Sequence, residues 1–162
     1  MQTYIRTHIV EAEPMTRGEH LKSKGLKLIP GTGSESDEGY FIQYPDGYKS
    51  WCPKESFEKS GRPIDGMTFG QAIEALKMGK KVSRKGWNGK GMWLWLKPAK
   101  VLKTDMCRDE LLKGTVEANG GELLALGTVC MYTHDSTGRK AVLTGWLASQ
   151  SDMLSEDWTI VE

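Results

Sequence analysis

Few residues of this chain belong to the types that build metal centres or disulfide frameworks. The 162 residues include three cysteines and three histidines. The cysteines are an odd number without C-x-x-C spacing, and the histidines are scattered without an H-E-x-x-H pair. We therefore expect no metal site, no cofactor and no disulfide framework. The cysteines are interpreted as small apolar residues of a reduced compartment.

Long hydrophobic runs are also missing. No stretch reaches the roughly 20 apolar residues that a transmembrane helix needs. The N-terminal sequence MQTYIRTHIV has no apolar core of the kind found in signal peptides. These observations predict a protein of the cytoplasm that has no membrane partner.

The net charge is only +1, which argues against a dedicated nucleic-acid-binding protein, because such domains are usually strongly basic. The charge is unevenly distributed, however. Between residues 75 and 104 there are nine basic residues and no acidic one. They are Lys77, Lys80, Lys81, Arg84, Lys85, Lys90, Lys97, Lys100 and Lys103. Both a solvated lysine-rich surface and an anion-binding surface explain this run.

The first 60 residues have the pattern of a small β-rich module. Residues 3–15 alternate like a strand, and GYFIQYPDGYKSW predicts a hairpin around its Pro-Asp-Gly turn. A short helix is expected to begin at Pro53 and to end before Gly61. GRPIDG, residues 61–66, is the best candidate for a linker.

Residues 67–162 predict an α+β domain, with an antiparallel sheet packed on one main helix. Thr68 and Gln71 have the spacing of a capping box, and apolar residues recur every three or four positions from Phe69 to Leu76. Gly79 is expected to end this helix. Strands are expected on both sides of the turn at 88–91, in a hairpin at 128–147 and at the C-terminus. Residues 99–126 have mixed periodicity and are assigned no elements.

The stretch RKGWNGKGMWLW, residues 84–95, admits two interpretations. As a binding surface, Trp87 would stack on a nucleobase, worth about 1–3 kcal/mol, and Arg84 and Lys85 would meet phosphate oxygens. Asn88 would read a base edge or a ribose. As a structural element, Trp87 would join Trp93 and Trp95 on one strand face, which would hold the sheet or an oligomer together. The chemistry leaves both interpretations of Trp87 open.

GWLASQSDMLSEDW, residues 145–158, forms a second polar cluster. Trp146, Ser149 and Asp152 are candidate ligand contacts if this loop approaches the basic turn. Helix capping and core packing are the alternative, and they are the preferred interpretation for Gln150, Ser151 and Trp158.

The sequence contains no recognisable catalytic arrangement. There is no G-x-S-x-G nucleophile motif, and GWNGKG fits neither the P-loop nor the dinucleotide-binding fingerprint. We therefore expect a binding protein and not an enzyme. A nucleic-acid-binding accessory protein and a structural or adaptor module are alternatives.

Two blocks of residues resemble a known phage family. The helix that leads into R-K-G-W-N-G-K-G and the terminal G-W-x-x-S-x-x-D-x-x-x-x-D-W are similar to the second Thoeris anti-defence family, over residues 67–162. Ala148 stands where the family pattern suggests proline. Residues 1–60 fall outside the resemblance; their Y-P-D-G-Y-x-S-W-x-P-K-E-x-F pattern resembles a module of some phage proteins, with no function implied.

The family resemblance implies a sponge protein that holds a bacterial immune signal without turning it over. The resemblance also implies a homo-oligomer, since members of this family typically form tetramers. Their interfaces bind a cyclic ADP-ribose isomer, and some also bind cyclic di- or trinucleotides. Placed on this sequence, the resemblance implies these ligand-binding residues: Arg84, Lys85, Trp87, Asn88, Lys90, Trp146, Ser149 and Asp152.

Overall fold

The structure is a computed structural model that describes residues 1–3, 7–89 and 91–162. The chain divides into two units, Met1–Pro63 and Ile64–Glu162. The division falls within the glycine- and proline-containing stretch GRPIDG. The strands of each unit pair within that unit.

The N-terminal unit is a three-stranded antiparallel sheet with two short helices, and its strand order is β1-β2-β3. Its elements are β1 (Glu11–Pro14), α1 (Arg17–Ser23), β2 (Gly39–Gln43), β3 (Lys49–Pro53) and α2 (Lys54–Ser60). The predicted hairpin and the predicted helix after Pro53 are both confirmed.

The first strand is shorter than the alternating pattern of residues 3–15 predicts. Only Glu11–Pro14 form a strand, and Glu11 pairs with Gln43, the last residue of β2. Beyond Gln43 the chain turns into the hairpin loop, so β2 does not extend alongside residues 7–10. Residues 4–6 lie outside the described part of the chain. Strand propensity therefore extends past the point where a neighbouring strand is available.

The C-terminal unit contains a five-stranded antiparallel sheet of order β10-β4-β5-β8-β9, which confirms the α+β fold class. Its elements are α3 (Phe69–Lys77), β4 (Lys81–Arg84), β5 (Trp93–Lys97), β6 (Lys100–Lys103), α4 (Glu110–Ala118), β7 (Glu122–Ala125), β8 (Thr128–His134), β9 (Lys140–Thr144), α5 (Gln150–Met153) and β10 (Trp158–Val161).

Helix α3 forms where the sequence predicts it and packs on one face of the sheet. The capping box is present, with the Gln71 amide donating to Thr68 Oγ1 and the Thr68 amide donating to Gln71 Oε1. Gly79 ends the helical segment at a φ of 78°, a conformation that glycine adopts without strain. Leu76 of the helix is buried with Leu94 and Trp158 of the sheet in the main hydrophobic core. Burying a large apolar side chain contributes about 1.5–3 kcal/mol.

Residues 99–126, which the sequence pattern left unassigned, form a two-stranded ribbon and a helix. Strands β6 and β7 pair antiparallel, and Asp109 caps α4 by accepting from the Leu112 amide. Val116 of α4 is fully buried. In the ribbon, Val101 and Leu124 lie opposite each other and are about half exposed. Among the described residues, none of the helices has both the length and the apolar character needed to cross a bilayer.

Candidate functional site

Strand pairing brings the two sequence blocks together. Trp158, the first residue of β10, lies opposite Arg84, the last residue of β4. The residues that flank this pair are therefore neighbours, and the Lys85 amide donates to the Asp157 carbonyl at 3.2 Å. The C-terminal loop therefore approaches the basic turn, which the sequence alone could not show.

Asp152 lies at the centre of the contact between the blocks. Its Oδ1 accepts from Arg84 Nη1 at 2.8 Å and from Trp87 Nε1 at 2.9 Å. Its Oδ2 accepts from the amide and the hydroxyl of Ser149, at 2.9 and 2.6 Å. Ser149 in turn caps α5, because its hydroxyl accepts from the Asp152 amide. One buried carboxylate thus joins three of the predicted site residues.

A second carboxylate, Asp157, binds the other side of the same guanidinium. Asp157 Oδ1 accepts from Arg84 Nε at 2.8 Å, and Asp157 Oδ2 accepts from the Gly86 amide at 2.7 Å. The Arg84 side chain is only 12% exposed. We call Arg84, Trp87, Ser149, Asp152 and Asp157 the Arg84 cluster.

The electrostatics of the Arg84 cluster favour ionised carboxylates. Burial raises the pKa of Asp152, but hydrogen bonds from Ser149, Trp87 and Arg84 outweigh burial and hold that pKa well below its usual range. The pKa of Asp157 is lowered mainly by its hydrogen bond from Arg84. At neutral pH two carboxylates therefore face one guanidinium, and the cluster carries a net charge of −1.

Trp87 packs within the C-terminal unit, on the same side of the sheet as the helix. Its ring centroid lies 5.4 Å from that of Trp158 and 6.1 Å from that of Trp146, both edge to face. Trp146 is held by its amide, which donates to the Val129 carbonyl. Trp87 therefore does not join Trp93 and Trp95, as the structural interpretation of the sequence suggested it could.

Trp93 and Trp95 lie on the opposite face of the sheet. Leu94, between them in β5, is fully buried in the core, and side chains alternate along a strand. The Trp93 ring stacks on Tyr132 of β8 at 5.3 Å, and Lys81 Nζ lies 5.3 Å from its centroid. Trp93 thus contacts the neighbouring strand, which supports the sheet-packing interpretation for this residue, and a role of Trp93 and Trp95 in an oligomer stays a prediction.

Five of the eight predicted ligand residues meet in or beside the Arg84 cluster: Arg84, Trp87, Trp146, Ser149 and Asp152. Lys85 and Asn88 are exposed on the adjoining turn. The Lys85 side chain is 58% exposed and its Nζ lies 3.4 Å from Asp65 Oδ2, so this cation is only weakly engaged. Lys90 lies outside the described residues.

Asp157 is a part of this cluster that the sequence did not identify as a site residue. The signal that could have found it is the terminal D-W pair of the second block. Trp158 was correctly assigned to the core and is fully buried. A core tryptophan at the start of a strand fixes the residue before it, and that residue here is an acid able to reach the neighbouring turn.

The arrangement offers hydrogen-bonding groups, an exposed cation and half-buried aromatic rings. Within the described ranges, no group of three His, Cys, Asp or Glu side chains is placed to hold a metal ion. The fold and the cluster define a small α+β domain with one helix on a five-stranded sheet and a braced polar turn at the sheet's end.

Known proteins share this domain. A family model described as the Thoeris anti-defense 2-like domain matches residues 67–161. A protein named Thoeris anti-defense 2 from Bacillus phage SP01 is 37% identical over 97 residues, which are 59% of this chain and 94% of the phage protein. The chain belongs to the Thoeris anti-defense 2-like family, as the sequence resemblance predicts. This assignment supports a phage anti-defence role.

Proposed function

We propose that this chain is a phage anti-defence protein that binds and sequesters a cyclic nucleotide immune signal in the host bacterial cytoplasm. The observation that carries the proposal is the convergence of both family blocks on one braced turn. The ligand class is a cyclic ADP-ribose isomer, with cyclic di- or trinucleotides as further candidates. Such ligands combine a flat base, phosphate groups and ribose hydroxyls.

Each part of such a ligand has a chemical counterpart near the turn. Trp87 and Trp146 are half-buried aromatic side chains that can cover a purine. Lys85 is the exposed cation for the phosphates, with Lys90 as a second cation proposed from the sequence. Asn88 and the Ser149 hydroxyl can meet a base edge or ribose hydroxyls.

Arg84 and Asp152 are proposed mainly to support the binding site and less to contact the ligand. Their side chains are 12% and 10% exposed and are hydrogen-bonded to each other. A ligand that displaced this contact would leave a buried charge without its partner, at a cost of about 3–5 kcal/mol. The two residues therefore serve binding by holding Trp87 and the turn in place, and they reach the ligand through their remaining exposed edge.

The site is completed by a second copy of the chain in a homo-oligomer, proposed to be a tetramer. Tight capture of a small polar ligand needs an enclosed site from which water is largely excluded, because ordering costs otherwise consume the contact energy. A turn on the surface of one copy supplies one wall of such a site. Trp93 and Trp95 on the opposite sheet face are candidate contacts between copies.

The proposed activity is capture without chemical turnover. A protein that binds the signal lowers its free concentration, so the defence effector is not switched on. No reaction is needed for this effect, and the protein is therefore proposed not to be an enzyme. Capture is stoichiometric, which distinguishes it from degradation by a catalyst.

Native mass spectrometry of the full chain with a panel of cyclic nucleotides tests the proposal. We expect an oligomer that retains at least one member of the panel, and heating the complex is expected to release that ligand with unchanged mass. Recovery of a hydrolysed product would contradict sequestration. Binding of single-stranded polymer with a steep loss of affinity at higher salt would favour the nucleic-acid alternative instead.

A further inference from the structure

We infer that Asp157 is a positioning residue that holds the turn at residues 85–88 in the conformation that meets the ligand. The inference rests on the proposed function for the ligand, but the effect of Asp157 on the turn is independent of it. Asp157 is not among the residues that the family blocks suggested as ligand contacts.

Asp157 binds the turn at three points. Its carbonyl accepts from the Lys85 amide, Oδ2 accepts from the Gly86 amide, and Oδ1 accepts from Arg84 Nε. Hydrogen bonds from a guanidinium or a backbone amide to an ionised carboxylate are among the stronger ones in proteins. Asp157 therefore holds the start of the turn through hydrogen bonds from two backbone amides and one side chain.

Gly86 shows how closely the carboxylate approaches the turn. A Cβ atom built on Gly86 would lie 2.7 Å from Asp157 Oδ2 and 3.1 Å from Arg84 Nη2. Any side chain at this position would push the carboxylate away. The contact thus depends on glycine for space, since the φ angle of Gly86 is not positive.

The Asp157 carboxylate contributes little that the sheet requires. Strand β10 pairs with β4 through Trp158–Val161, and the adjacent Trp158 provides the buried apolar anchor. The Asp157 side chain is 30% exposed, so it lies at the edge of the core. Its hydrogen bonds are directed at Arg84 and Gly86, that is, at the turn.

The same arrangement decides which cation of the turn an anionic ligand can reach. Arg84 is held between Asp152 and Asp157, so its charge is more than neutralised by its neighbours. Lys85 projects from the braced turn and is exposed. Asp157 thereby places Lys85 and Trp87, the cation and the aromatic side chain of the proposed site, on one fixed turn.

Amide hydrogen exchange in the full chain tests the effect on the turn directly. In Asp157→Asn we expect faster exchange at the Gly86 amide and a changed chemical shift of the Trp87 indole N–H. The Ala72 amide of α3, which donates to the Thr68 carbonyl, is expected to stay protected. Unchanged Gly86 and Trp87 signals would overturn the inference, whatever the ligand data show.

A matched control is available in the same unit. Asp135 is 31% exposed and accepts from Arg139 Nε at 2.9 Å and from the Thr137 and Arg139 amides, all within its own hairpin turn. Asp135→Asn therefore removes a comparable carboxylate whose contacts are local to that hairpin. It is expected to leave the Gly86 amide, the Trp87 indole and ligand affinity as in the wild type.

Ligand affinity, measured with the cyclic nucleotide that the wild type retains, tests the second half of the inference. Asp157→Asn is expected to weaken binding about tenfold or more, the fold-change that one charge-assisted hydrogen bond corresponds to. A mobile turn with unchanged affinity would overturn the link to the ligand. If the wild type binds no member of the panel, the proposed function fails and the exchange result alone decides the role of Asp157.

Gly86→Ala provides a second variant should Asp157→Asn fold poorly. The added methyl group would take the space next to the Asp157 carboxylate and displace it, while the carboxylate keeps its charge. We expect the same weakening of binding and the same change at the Trp87 indole. Wild-type values of both in Gly86→Ala would overturn the inference.

Discussion

The C-terminal unit contains two groups of aromatic side chains on opposite faces of one sheet. The inner cluster consists of Trp87, Trp146 and Trp158, and the outer row consists of Trp93, Trp95 and Tyr132. Trp87, Trp93 and Trp95 come from a single stretch of nine residues. Residues that look alike in the sequence are therefore divided between two environments.

The two groups differ in what fixes their rings. In the inner cluster the Trp87 and Trp158 indoles both donate to Asp152, one to the carboxylate and one to the carbonyl oxygen. The outer row is ordered by ring contacts, with Trp93 stacked on Tyr132. A ring held by a directional hydrogen bond has one orientation, as a ligand site requires. Packing alone suffices for a sheet face.

The largest expected difference between the two groups is in how much each ring contributes to the stability of the fold. Trp158→Ala removes a fully buried ring and is expected to lower the free energy of unfolding by about 3–5 kcal/mol. Trp95→Ala is expected to cost less, because part of that ring already contacts solvent. Equilibrium unfolding in denaturant measures both. Equal losses in the two variants would contradict the division into core and outer row.

The effect of acid is expected to be smaller and confined to the inner cluster. The pKa values of Asp152 and Asp157 are lowered in the folded protein, so their stabilisation is complete above the ordinary carboxyl value of 3.8 and is lost as the pH falls through the folded values. Unfolding free energies measured from pH 5 downwards should therefore fall in the wild type. Asp152→Asn should show a shallower dependence, and Trp95→Ala the wild-type dependence. A wild-type slope in Asp152→Asn would show that Asp152 does not titrate as described.

Much of the fold follows from local sequence rules. The Thr68 capping box, the apolar spacing of α3 and the Pro-Asp-Gly turn each determine a short segment, and the structure has each where it was predicted. Residues 99–126 were not predicted, because two short strands flank a short helix there, and no single period runs through the segment. The first strand was overextended since its length depends on the length of its partner.

The candidate site was predictable only as two separate parts. Both blocks were identifiable, but their contact depends on β10 pairing with β4, about 70 residues away along the chain. The second carboxylate on Arg84 depends on the same pairing. Local sequence therefore suggested Arg84 as a free cation, whereas the structure has it enclosed by Asp152 and Asp157.

The most direct test of the account compares ligand affinity in Trp87→Phe and Trp93→Phe. Both variants keep an aromatic ring, but Trp87→Phe loses the hydrogen bond to Asp152 that orients the ring. Isothermal titration of each folded variant with the retained cyclic nucleotide measures the difference. We expect affinity to fall about tenfold or more in Trp87→Phe and to fall by less in Trp93→Phe, whose retained ring can still stack on Tyr132. Wild-type affinity in Trp87→Phe, or an equal loss in both variants, would contradict the claim that the inner cluster forms the binding site.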